Sequence, residues 1–211
     1  MSTAHIEAPP HIGSPSAPER WKTLVHDIDD KRGTWGMLLF ILTEGFLFLM
    51  LFTAYFYLAE GTWRWLDEKP PKLHYVIPML IILLASSGVA YWGEKQVKAG
   101  RYSAGKAALV VTIVMGLVFL TLSAFDYKEH LQDVTPQTDA YGSIFYTITT
   151  LHVAHVCLGM LMLLYAVLLP KLEPREWPPY RPFHNATLYW HFVDFVWVFI
   201  VALLYVAPNI R

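Results

Sequence analysis

Apolar residues gather along this chain in five long runs, separated by short polar stretches. The first run, Thr34 to Ala59, is broken by one carboxylate, Glu44, near its middle. A helix rises about 1.5 Å per residue, so roughly 20 apolar residues cross the hydrocarbon of a bilayer. This run does so with a turn or more to spare. The spacing predicts further spans over about Leu73 to Trp92, Lys106 to Phe125, Tyr141 to Leu169 and Asn185 to Ala207. No segment alternates apolar and polar positions with the period of two that a membrane barrel needs. The pattern therefore predicts an all-α fold, a polytopic bundle of five transmembrane helices. One domain over residues 33–211 carries the spans, and residues 1–32 form a disordered or interfacial tail.

Local features sharpen the boundaries. Trp63 and Trp65 follow the first span at an expected headgroup boundary, where amphipathic rings are favoured. Pro78 stands near the start of span two, and Pro170 with Lys171 closes span four. Near the end of span two, Ala85-Ser86-Ser87-Gly88-Val89-Ala90 is a small-residue patch that lets a neighbouring helix approach closely. The first twenty residues are rich in Pro and Ser without an apolar core, so they do not read as a signal peptide.

Composition agrees with a membrane protein: 55% of the 211 residues are hydrophobic and only 16% are charged. A net charge of -1 argues against nucleic acid as a partner. The lone Cys157 lies inside an apolar span, which leaves no disulfide framework and no thiolate metal site. Lys and Arg set the orientation. Arg20, Lys22, Lys31 and Arg32, then Lys95, Lys98, Arg101 and Lys106, then Lys171, Arg175 and Arg181 fall on one side. Arg64, Lys69, Lys72, Lys128 and Arg211 fall on the other. The positive-inside bias puts the N-terminus in the cytoplasm and the C-terminus outside. The third loop, with Asp126, Glu129, Asp133 and Asp139, fits the outer face.

The candidate chemistry is a buried polar set: Glu44, His152 and His155 in span four, and His191 and Asp194 in span five. Each later pair is spaced i, i+3 and shares a helical side. A charge at this depth costs about 2.5 kcal/mol or more, so Glu44 should face protein rather than lipid. Three readings stay open. Glu44 and the histidines could converge on a metal or haem, although a metal site wants three or four ligands together. They could relay protons, although span three offers only Thr112, Thr121 and Ser123. The plainest reading is interhelical hydrogen bonding, or a niche for lipid or a partner subunit. Glu44 is expected to react with a hydrophobic carbodiimide, and Glu44→Gln to fold normally.

Three stretches carry a resemblance. Tyr189 to Phe199, YWHFVDFVWVF, resembles the last-helix signature of subunit III of the haem-copper respiratory oxidases. Tyr141 to Gly159 resembles that family's preceding helix, with its His-x-x-His at His152 and His155, and Trp35 to Phe48 resembles its helix with a membrane-buried acid, here Glu44. The order agrees from about Lys31 to Ala207. Longer members have seven helices and the first two are absent here, a five-helix form familiar among bacterial oxidases. Longer members also often carry a Glu before the last helix, where His184 stands.

The resemblance implies an accessory subunit of a bacterial cytochrome c oxidase in the cytoplasmic membrane. Haems and copper would lie in its partners, subunits I and II, and none in this chain. It further implies that the chain stabilises subunit I and supports proton uptake and oxygen access. Phospholipid is expected in a cleft between the first two and last three helices, with Trp190, Arg181, Arg175 and Lys31 as lipid-binding residues. Cytochrome c or a quinol would act on the complex. The alternatives are subunit III of a quinol oxidase, an accessory subunit of nitric oxide reductase, or a stand-alone transporter or haem protein.

Overall fold

A computed structural model of the chain describes residues 17–61, 73–133, 140–172 and 180–207. The helices in order are α1 (Ala17–Gly61), α2 (Val76–Lys98), α3 (Tyr102–Asp133), α4 (Ala140–Leu172) and α5 (Tyr180–Ile200). The end of α5 widens into a π-helical segment, Val201–Val206. Five helices are long and apolar enough to cross a membrane, and the described residues contain no strand. α1 starts well before its span, so the polar stretch Trp21 to Arg32 continues the same helix. The first sixteen residues lie outside the described ones.

The membrane-crossing parts run further than apolarity alone suggested. α2 continues past Trp92 to Lys98, and α3 past Phe125 to Asp133. Asp126 and Glu129 thus belong to a helix and not to an outer loop. The physical reason is partnership. Asp126 is buried at 2% exposure and accepts a hydrogen bond from the Tyr205 hydroxyl at 3.0 Å. Glu94 meets Lys98 at 2.8 Å and His184 at 3.1 Å. Buried charges that find partners do not terminate a helix. α4 likewise runs through Pro170 to Leu172, since a proline in the last turn forfeits a single backbone bond. Pro78 falls in the first turn of α2, where a missing donor costs little, and Ile77 and Met79 bond back to Leu73 and Tyr75.

α2 turns into α3 through a Schellman motif. Arg101 N–H donates to Gln96 at 2.8 Å and Gly100 N–H to Val97 at 3.0 Å. Gly100 takes φ +78, a conformation that side chains with a Cβ disfavour. The two helices then run almost backbone to backbone: a Cβ on Gly93 would meet that of Ala108 at 2.6 Å, and one on Gly105 would collide with Val97.

α2, α3, α4 and α5 pack in a ring, with α5 closing on α2, and α1 rests outside against α4 and α5. Only 6% of the α1 span is buried, against 56% of the α5 span. The core centres on Trp190, Tyr189, Phe119, Leu83, Ile148 and Leu163. Gly116 of α3 and Gly159 of α4 leave the slot for the Trp190 indole, which a Cβ on Gly159 would approach to 2.9 Å.

Candidate functional site

Glu44 stands halfway along the α1 span, and the face it shares with Phe48 turns toward α4. Its Oε2 lies 2.9 Å from His155 Nε2. The other ring nitrogen, Nδ1, lies 2.7 Å from the Leu151 carbonyl one turn back. A carbonyl only accepts, so Nδ1 carries a proton and donates it. One proton then remains for the Nε2–Oε2 contact. It sits on Glu44, facing a neutral imidazole, or on Nε2, facing a carboxylate. Either way the pair is neutral as a whole, which is how a membrane helix carries an acid without an isolated charge. Phe48 packs its ring edge-on to His155 at 4.9 Å and is itself 2% exposed. Glu44 keeps about a fifth of its side chain exposed, so the pair is reachable from the α1 side.

The expected cluster of five residues is instead two separate sites and one isolated ring. His152, three residues from His155, stacks on Trp197 at 5.0 Å and meets Phe119 edge-on at 6.0 Å. It is fully buried, and neither ring nitrogen has a hydrogen-bond partner among the described residues. His191 and Asp194 do not reach Glu44. They meet on α2, where Ser87 Oγ lies 2.9 Å from His191 Nδ1 and hydrogen-bonds Asp194 Oδ2. No three or more His, Cys, Asp or Glu among the described residues converge as metal ligands. The donor set does not fit a haem either. Both His155 nitrogens are engaged, and the His152 ring is closed in by Trp197 and Phe119.

Trp190 was expected among the lipid-binding residues, and its side chain is wholly enclosed by protein. Its Nε1–H donates to Ser86 Oγ at 2.9 Å while Gly116 and Gly159 wall its ring. Ser86 and Ser87 had read only as small residues allowing close approach. They are the hydrogen-bonding hub between α2 and α5. Arg181 stands partly buried at the start of α5. Arg175 lies outside the described residues, and so does the side chain of Lys31. A groove of about 1060 Å³ runs between α1, one of the first two helices, and α4, one of the last three. Phe46, Leu47 and Met50 form one wall, and Tyr146, Thr147 and Leu151 the other.

The family model described as cytochrome c oxidase subunit III matches residues 24–208, all five spans included. The chain belongs to the cytochrome c oxidase subunit III family. The cytochrome c oxidase subunit 3 of the cyanobacterium Synechocystis is 33% identical over 175 residues, covering 81% of this chain and 74% of the relative. Those of Anopheles gambiae (34%) and Gallus gallus (33%) cover 81% of this chain and 68% of their own lengths. The family that the first, fourth and fifth spans resemble is thus the family to which the chain belongs. Of the two polar pairings, one joins two motif-bearing helices, α1 and α4, through Glu44 and His155, and the other ties α5 to α2 through Ser87.

Proposed function

We propose that this chain is the accessory subunit III of a bacterial cytochrome c oxidase, seated in the cytoplasmic membrane with its N-terminus inside. It stabilises subunit I, while the haems and copper that reduce oxygen belong to subunits I and II. The supporting observation is the Glu44–His155 pair. A neutral, proton-sharing couple opening toward the side of the loosely held α1 suits a subunit that backs another membrane protein and supports its proton uptake and oxygen access. In this reading the α1–α4 groove takes phospholipid acyl chains, and Arg181, Arg175 and Lys31 hold headgroup phosphates.

The test is purification of the tagged chain from its native membrane in mild detergent. The co-purifying assembly is expected to consume oxygen with reduced cytochrome c as donor. Oxygen consumption with quinol alone would assign the chain to a quinol oxidase instead, and recovery of the chain with no partner would overturn the reading. Lipid extraction tests the headgroup role: Arg181→Ala should retain less phospholipid, and unchanged retention would remove Arg181 from it.

A further inference from the structure

α2 and α5 run past each other with polar groups at two levels of their contact. Glu94 with His184 and Lys98 marks one level, and Ser87 with His191 and Asp194 the other. Glu94 is seven residues from Ser87, and His184 seven from His191, so the levels stand about 10.5 Å apart along the helices.

At the deeper level the proton count is degenerate. The Ser87 hydroxyl has one proton and two hydrogen-bonded neighbours, Asp194 Oδ2 and His191 Nδ1. In one arrangement Ser87 donates to an ionised Asp194 and a doubly protonated His191 donates to Oγ. In the other a protonated Asp194 donates to Oγ and Ser87 donates to Nδ1 of a neutral His191. Both use the same heavy-atom positions and both leave the unit neutral. Asp194 Oδ1 is buried with no partner among the described residues. An ionised carboxylate, with about four acceptor sites, would be served there by one hydroxyl, which makes the neutral arrangement the resting one.

We propose that Asp194, Ser87 and His191 form a proton-exchanging unit, a second proton-holding site separate from Glu44–His155. In the transfer the Asp194 O–H bond breaks as Ser87 Oγ takes that proton. The original Ser87 O–H bond breaks as His191 Nδ1–H forms. No proton leaves the unit, and a neutral acid and imidazole become a carboxylate and an imidazolium. Asp194, at 3% exposure, is the storing end, and the partly exposed His191 is the end that exchanges with the surroundings. Glu94, paired with His184 and Lys98, is near enough for its charge to act on His191, whereas Glu44 is held with His155, Asp126 with Tyr205 and His130, and His152 against Trp197.

The test is infrared spectroscopy across a pH titration, on the chain as purified with its native partners. A Glu44→Gln background removes the other spanning carboxyl of the α1–α4 pair, and isotope-labelled aspartate with Asp194→Asn assigns the band. A protonated-carboxyl stretch from Asp194 is expected at neutral pH, changing together with the imidazole modes of His191, since coupled groups titrate as a pair. Ser87→Thr, which keeps the hydroxyl, should preserve that coupling. Ser87→Ala should shift the Asp194 band and let the two groups titrate separately. His191→Gln decides the matter if Ser87→Ala is not recovered folded, for it should shift the Asp194 band across the intervening hydroxyl. Absence of an Asp194 carboxyl band throughout the titration, or an Asp194 band indifferent to both variants, overturns the proposal.

Discussion

Glu44 and His155 share one proton, and that dictates how each position tolerates change. Glu44→Gln offers an amide N–H to the bare Nε2 of a neutral His155 and keeps the contact, so it should insert and assemble as the native chain does. Glu44→Lys can donate to the same nitrogen but leaves an ammonium at mid-span with no anion to pair it, and should abolish assembly. The amount of tagged chain recovered with its partners measures both, and a Glu44→Gln chain that fails to assemble would make the charge itself structural. A hydrophobic carbodiimide should label the native chain and spare Glu44→Gln. Ser86→Ala removes the acceptor of the enclosed Trp190 N–H, and a buried donor left unmet costs about 1–3 kcal/mol. Thermal melting followed by tryptophan fluorescence should show that loss, and Ser86→Thr should restore much of it. That these residues are polar at depth was legible in the sequence, but their partners were not. Residues i and i+3 share a helix side yet point about 60° apart. His155 therefore reaches α1, while His152 turns inward to Trp197.

At the scale of helices, apolar run length gave all five spans because hydrophobicity is what a bilayer reads. It misplaced the ends of α2 and α3, because Glu94 and Asp126, besides their partners one turn on, are met by His184 and Tyr205, which no local window contains. Close backbone contact was similarly hidden: Gly93 and Gly105 look unremarkable until α2 and α3 are folded against each other. Gly93→Val drives a branched side chain into Ala108 and the Gly105 carbonyl, and should destabilise by about 1–3 kcal/mol or more. Gly100→Ala strains the turn alone, at about 1–2 kcal/mol. Thermal unfolding of the purified variants, followed by circular dichroism, should rank Gly93→Val below Gly100→Ala. A Gly93→Val chain as stable as the native one would mean the two helices can part without cost.

For the whole molecule, α1 is set apart by its thin burial and by the groove it forms with α4. Family membership was legible because the motif residues sit on three spans in order. The assembly around the chain was not, since a sequence carries no image of the surfaces that cover it. Orientation has a direct check. In a Cys157→Ala background, Arg101→Cys on the α2–α3 turn should react with an impermeant maleimide in inside-out vesicles and not in right-side-out ones. The opposite labelling would invert the topology. The most direct measurement compares reduced-minus-oxidised visible spectra of the co-purified assembly and of this chain stripped from it. The assembly is predicted to show haem bands and the stripped chain to be colourless. A stripped chain that binds haem would make His152, His155 or His191 a ligand and contradict the accessory-subunit assignment.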